Sequence, residues 1–325
     1  MKVGIIGVGF VGTACAKAML LRGSCHEIVL IDLPERDHRT RGVRNDLSHG
    51  GPLCPTARLT VGDYPDLRDA SAVVITAGIN EKAGEAIEPS DMWGRQRLLP
   101  HNAKEYRKIV PRIVGVAPHV PIVVVTDPPD SLADVARHQV DENAGRNPVI
   151  SAGTFLDTLR FRIQIAERLE CSTSSVHAFV IGEHGKTQVH VWSSASVGGT
   201  PVSNLIPPKY ASFAAFCSEV EQGVIDANID IIRATDASQH AIGIVTARIV
   251  EAILRDEGLV APVGTWQDEF KVTLSLPSVI GKEGVRKVLR RSLSRNEEEL
   301  LTASKALIAK ALENERNGIP IEEWV

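Results

Sequence analysis

Val3-Gly4-Ile5-Ile6-Gly7-Val8-Gly9-Phe10-Val11-Gly12 is the stretch that decides the fold. Val3–Ile6 is a short apolar run bounded by glycines, as a buried strand requires. Residues 7–12 then fit G-x-G-x-x-G, and a helical pattern begins at once in Thr13–Arg22. Gly7 permits the tight turn, Gly9 lets the backbone approach a pyrophosphate, and Gly12 lets the helix pack closely on the strand. The helix N-terminus, with its free N–H groups and positive dipole end, faces the phosphates.

Outward from this stretch, the first half alternates strand-like and helix-like segments. Glu27–Asp32, Ala72–Ala77 and Pro121–Thr126 are β-branched runs with almost no polar face, as in strands buried on both sides of a parallel sheet. Arg58–Val61 and Pro148–Ala152 complete the series. Strands alternating with helices predict an α/β chain with a Rossmann-type doubly wound parallel sheet. After Gly153 the texture changes. The pattern predicts a long amphipathic helix over Thr154–Glu170, a strand over Val176–Ile181 and a turn at Gly198-Gly199. Helices follow near Ser218–Arg233 and Ala241–Asp256, then a strand over Lys271–Leu276 and a charged helix near Glu297–Glu313. This implies an NAD-binding domain over residues 1–150 and a second, α+β catalytic domain over residues 151–325.

Asp32 ends the second strand, twenty positions beyond Gly12. A carboxylate there accepts hydrogen bonds from both ribose hydroxyls and repels a 2′-phosphate, so the reading is NAD rather than NADP. Arg36, Arg39 and Arg41 a little downstream pull the other way. Gly7, Gly9, Val11, Gly12 and Asp32 are thus cofactor-binding candidates.

Bulk properties exclude several classes. With 36 basic and 40 acidic residues, the net charge of −4 is too balanced for a nucleic-acid or membrane-surface partner. No apolar run reaches transmembrane length, and no signal or transit pattern precedes the first strand. Cys15, Cys25, Cys54, Cys171 and Cys217 are scattered, with no Cys-x-x-Cys, as expected of reduced thiols in a cytoplasmic protein. Neither a His-Glu-x-x-His nor a cysteine zinc spacing occurs, so no metal is expected.

Two segments of the second half carry chemistry. In Leu156-Asp157-Thr158-Leu159-Arg160, the acid and the arginine lie three apart and share a helix face. A guanidinium holds a substrate carboxylate through two parallel hydrogen bonds. In Ile181-Gly182-Glu183-His184-Gly185, the imidazole sits in a glycine-flanked loop. A reaction that protonates a substrate oxygen needs a donor with a pKa near neutrality, which histidine has. A carboxylate such as Asp157 behind the ring fixes its tautomer and stabilises its charged form.

Together these segments resemble the L-lactate/malate dehydrogenase family, and the resemblance extends through Asp46–Gly50, Ile75–Gly78, Trp192–Ser194 and Leu276–Gly281. It implies hydride transfer between NAD and a small L-2-hydroxy or 2-oxo monocarboxylic acid, in a homodimer or homotetramer. His184 and Asp157 are then the acid–base pair, and Arg160 binds the substrate carboxylate. The family's Arg-x-x-Leu-x-x-x-Asn spacing falls on Arg95–Asn102, so Arg95 polarises the carbonyl from a loop and Asn102 contacts the cofactor, as does Gly78. Arg97 competes for the role of Arg95 if the register slips by two.

The chain also departs from the family. Its loop from Asn80 to Arg95 is long, contains Trp93, and resembles that of apicomplexan lactate dehydrogenases. It implies closure gated by a bulky side chain, with Gly84 and Gly94 as hinges. Glu81 stands where the family carries Gln or Arg to select substrate, and disfavours a second carboxylate. Asp127, in Thr126-Asp127-Pro128-Pro129-Asp130, replaces an Asn that touches both substrate and cofactor. Lys186 replaces Asp or Asn, and Ser238 falls near a pocket threonine. Malate dehydrogenase is the nearest alternative; an NAD-dependent glycosidase and a non-catalytic NAD-binding protein are two others.

Overall fold

The computed structural model describes residues 1–325 apart from 56, 80–83, 85–90, 236, 291 and 325, and the side chains of 228 and 229. Six short strands form the first half of the chain. They are β1 (Lys2–Ile6), β2 (Glu27–Ile31), β3 (Arg58–Val61), β4 (Ala72–Ile75), β5 (Ile122–Val124) and β6 (Val149–Ser151). They pair in parallel in the order β3-β2-β1-β4-β5-β6, the doubly wound arrangement with its switch point between β1 and β4. Every residue of β4 and β5 is buried, which explains their unbroken β-branched composition. The expected runs extend one to three residues past these strands. Thr76–Ala77 and Val125–Thr126 leave the ladder and become the loops on which the site is built.

Helices α1 (Phe10–Arg22), α2 (Asp37–Gly50), α3 (Leu99–Val116) and α4 (Pro129–Glu142) link these strands, and α5 (Phe155–Arg168) follows β6. The middle of the chain holds only two-residue strands: β7 (Val176–His177), β8 (Val180–Ile181), β9 (Val189–His190), β10 (Ser196–Val197) and β11 (Thr200–Pro201). The single strand expected over Val176–Ile181 is thus broken in two. β7 joins β10, whereas β8 joins β9, and the chain changes sheets at Ala178–Phe179. There the Ala178 carbonyl accepts a hydrogen bond from Arg162 Nε instead of a ladder partner. Gly198-Gly199 turns the β10–β11 hairpin as expected.

Helices α6 (Phe213–Thr235) and α7 (His240–Leu254) precede three long antiparallel strands, β12 (Leu259–Gln267), β13 (Val272–Gly281) and β14 (Gly284–Val288), and α8 (Arg295–Arg316) follows. Only part of β13 was expected, and β12 and β14 were not. Among the described residues these strands extend the parallel sheet to nine, through a pairing of Ser151 with Gly264. The core lies on both faces of this sheet. On one face, Cys15 and Met19 of α1 pack with Val245, Ile249 and Ile253 of α7. On the other, Tyr106 and Ile113 of α3 pack with Leu132 and Ala136 of α4.

The glycine turn between β1 and α1 has two structural glycines and one that the protein itself does not require. Gly7 adopts φ +93°, and a Cβ there would lie 2.5 Å from the Ala77 nitrogen. A Cβ on Gly12 would lie 2.0 Å from the Gly7 carbonyl oxygen, whereas one on Gly9 would meet nothing within 4 Å. Gly12→Ala is therefore expected to destabilise the fold by roughly 3 kcal/mol through overpacking. Gly9→Ala should cost at most about 1 kcal/mol as a weakened N-cap, yet lose most of its affinity for a dinucleotide whose phosphates need that space. Urea midpoints and NADH fluorescence titrations of the two variants check this contrast.

Candidate active site

The glycine turn is fixed to its surroundings on two sides. Thr76 Oγ1 donates to the Gly7 carbonyl at 2.6 Å. Asp32, half-buried just beyond β2, accepts from the Val8 N–H through Oδ2 and from the Leu33 N–H through Oδ1, both at 2.8 Å. The carboxylate is thus oriented before any ligand arrives, and each oxygen keeps acceptor capacity for a hydroxyl. Of the nearby arginines, Arg41 pairs with Asp37 at 2.7 Å, whereas Arg39 lies over the ring of Phe10, within the glycine turn. The open space at Gly9 and the held carboxylate fit the pyrophosphate and ribose of NAD.

The loops after β4 and β5 are clamped by Asn102. Its Oδ1 accepts from the Ile79 N–H at 2.9 Å, and its Nδ2 donates to the carbonyls of Ile79 and Asp127, at 3.3 and 2.7 Å. Asn102 is buried, and its amide joins the two loops beside the expected cofactor site. Gly78 lies in this clamp, where a Cβ would fall 2.7 Å from Asn102 Oδ1.

Asp157 and Arg160 project from the first turns of α5, where Arg160 Nη1 donates to Asp157 Oδ1 at 3.1 Å. Arg160 Nη2 donates to Ser238 Oγ at 3.3 Å. The other carboxylate oxygen of Asp157 hydrogen-bonds to His184 Nδ1, which leaves Nε2 for a ligand. Asp127 Oδ1 lies 3.8 Å from that Nε2, and Asp127 Oδ2 lies 3.4 Å from Arg95 Nε. Val11, Arg95, Asp127, His184, Ser238 and Ile242 line one small cavity. The structure brings Arg95 here and not Arg97, which is ion-paired with Asp91.

Trp93 is placed elsewhere. Its indole is buried edge-on against Trp324, with ring centroids 5.1 Å apart, and its N–H donates to the Trp324 carbonyl at 3.1 Å. The expected substrate contact is corrected to a core contact, because the carboxyl-terminal tryptophan offers the ring an apolar partner. Glu81 lies outside the described residues, as does most of the lengthened loop.

Sequence reasoning gave no role to Asp130, which is fully buried at the start of α4. Its oxygens accept from Ser151 Oγ at 2.7 Å, Ser275 Oγ at 3.0 Å and the His184 N–H at 3.0 Å. Burial pushes its carboxyl up to about 6, with these hydrogen bonds opposing. The buried Glu183 was also overlooked as a support. It accepts from Gln96 Nε2 at 3.0 Å and from Thr187 Oγ1 at 2.7 Å, which ties the turn bearing Arg95 to the histidine loop. Asp130 and Gly182–Glu183 stand within quoted motifs, but their partners are too distant in sequence to be read.

Burial alone would lower the pKa of His184. The charge and hydrogen bond of Asp157 outweigh it, with Asp127 adding to them and Arg95 opposing, so the imidazole ends above its ordinary value. Burial would raise Asp157, but His184, Arg160 and Arg95 hold it well below the carboxylate range. The stability contributed by the imidazolium is complete below its unfolded value of about 6.5 and is lost as pH rises through the raised folded value. Asp157→Asn should therefore drop the His184 pKa below its ordinary value, since desolvation then dominates. Following the His184 ring protons by NMR across pH reads the shift; an unchanged midpoint would show that Asp157 does not hold the charge.

Residues 1–148 match the NAD binding domain of lactate/malate dehydrogenase, and residues 154–317 match the alpha/beta C-terminal domain of the same family. An L-lactate dehydrogenase of Deinococcus radiodurans is 37% identical over 95% of this chain and 97% of its own length. One from Chloroherpeton thalassium is 36% identical over 96% of this chain and 99% of its own. A solved lactate dehydrogenase from a Medee basin deep-sea metagenome library superimposes with a TM-score of 0.86 at 32% identity, covering 97% of this chain and 98% of that one. A glycine turn, a held carboxylate and an acid-backed histidine on a doubly wound sheet thus coincide with matches along nearly the whole length, and this chain belongs to the lactate/malate dehydrogenase family.

Proposed function

We propose that the protein is an NAD-dependent L-2-hydroxyacid dehydrogenase of the lactate type, which interconverts a small monocarboxylic 2-oxo acid and its 2-hydroxy acid. The observation that carries this reading is His184, backed by Asp157 at Nδ1 and lining with Nε2 the cavity that Arg95 also lines. When bound, NADH supplies the hydride that reaches the carbonyl carbon. The chain does the rest. Arg160, oriented by Asp157 and Ser238, holds the substrate carboxylate in a two-pronged contact. His184 gives the proton on Nε2 to the carbonyl oxygen, while Asp157 stabilises the imidazolium beforehand and fixes the Nδ1–H tautomer. Arg95 supplies positive charge where the oxygen becomes negative.

The L-lactate dehydrogenases among the relatives support a monocarboxylic substrate over malate. The reading of an apicomplexan-type loop, with Glu81 choosing the substrate, rests on the loop outside the described residues. We read residues 1–150 as the cofactor half and 151–325 as the substrate half, and the assembly as a homodimer or homotetramer in the cytoplasm. Among the described residues, no helix is long and apolar enough to cross a membrane.

A panel of 2-oxo acids assayed with NADH and NADPH tests the function. Pyruvate or a bulkier monocarboxylic 2-oxo acid should turn over faster than oxaloacetate. NADH should exceed NADPH in kcat/KM by roughly 100-fold, because like charges ~5 Å apart at an effective dielectric of ~20 repel by about 3 kcal/mol. Equal values for the two cofactors would remove Asp32 from its role. His184→Ala should keep NADH affinity and lose ~10²–10⁴-fold in kcat; near-wild-type turnover would exclude His184 as the proton donor.

A further inference from the structure

The two groups that must meet the keto oxygen, His184 Nε2 and Arg95, both have a third neighbour. Asp127 places one carboxylate oxygen 3.8 Å from Nε2 and the other 3.4 Å from Arg95 Nε. It therefore stands at the edge of the place where the oxygen binds and where negative charge accumulates. We propose that Asp127 takes up a proton when a 2-oxo acid enters and donates it as a hydrogen bond to the keto oxygen, so that reduction depends on two protonated groups, His184 and Asp127. This rests on the dehydrogenase reading given above.

The backbone of Asp127 is held in place. Its carbonyl accepts from Asn102 Nδ2 at 2.7 Å, and the preceding Thr126 Oγ1 donates to the Ala77 carbonyl at 2.9 Å. The charged and titratable groups around it are Arg95 from the turn before α3, His184 from the loop after β8, Arg160 on α5, and the phenol of Tyr106 on α3, which burial keeps neutral. Asp157 on α5 lies behind the imidazole. Before substrate enters, the carboxylate faces Arg95 and the imidazole. A 2-oxo acid brings a carboxylate to Arg160 and an oxygen to His184 and Arg95, so these cations must be shared. An ionised Asp127 has only lone pairs to set against the lone pairs of that oxygen, whereas a protonated one has a donor. A neutral carboxylic acid is then a useful neighbour for an oxygen gaining charge. The proton comes from solvent on binding, stays on Asp127 through the reaction and returns to solvent on product release. The proton that ends on the product is still the one from His184.

An amide at this position has a donor at every pH, so Asp127→Asn separates the two cases. Because kcat/KM reports protonation of the free enzyme, the variant-to-wild-type ratio of kcat/KM for pyruvate should rise about tenfold per pH unit between about pH 6 and 8. Calorimetry in buffers of different ionisation enthalpy should show oxamate, a substrate-shaped anion, taking up one more proton on the NADH-loaded wild type than on the variant. NADH affinity and the urea midpoint of Asp127→Asn establish that the fold and cofactor site are intact. Turnover by both proteins with a ratio that does not change with pH overturns the proposal, as does equal proton uptake. Turnover by neither on any 2-oxo acid, with NADH still bound, overturns the dehydrogenase reading and this proposal with it.

Discussion

Asp157 is nearly sealed from water and carries one negative charge shared between two cations. One oxygen orients Arg160, and the other hydrogen-bonds to His184. An isolated carboxylate at that depth would take up a proton to escape the cost of desolvation. It stays ionised because both partners are present, and each partner is held by it in turn. The guanidinium and the imidazole are thereby oriented before substrate arrives, which is where such a site gains most of its power. The same coupling makes the trio hard to divide, since removing one member changes the charge state of the others.

A second layer keeps the trio still. Asp130, Glu183, Gln96 and Asn102 are all buried. Together they join the loops after β4, β5 and β8 to the turn that carries Arg95. Ser304 of α8 adds a further anchor by accepting from the Glu183 N–H at 2.7 Å. The clamps at Asn102, Asp130 and Ser304 satisfy backbone groups that would otherwise be buried without partners where the chain leaves the sheet.

The amino-terminal half was legible because its signals are local. Four of the parallel strands are apolar runs, and the glycine turn with Asp32 has a fixed spacing. Asp157, Arg160 and His184 were legible because two short segments, Leu156–Arg160 and Ile181–Gly185, match one family pattern together; neither alone singles out His184 among ten histidines. Illegible features depend on distant partners. Trp93 reads as a loop residue until Trp324 is seen 231 positions away, and Asp130 needs Ser151 and Ser275 to show what it does. The strands β12 and β13 carry Pro262 and Pro277 opposite one another, and proline inside a run argues against a strand. Val176–Ile181 reads as one strand because nothing local marks the point where the chain changes sheets.

One continuous ladder of backbone hydrogen bonds runs from β3 at one edge to β14 at the other, crossing from the first half of the chain to the second at Ser151 and Gly264. The parallel and antiparallel strands therefore meet at a seam of one residue pair. The seam limits how such chains can be recombined. A half borrowed from a relative must present the same strand edge at the same register, and at Gly264 it must leave out the side chain, since a Cβ there would lie 2.1 Å from Asp130 Oδ1.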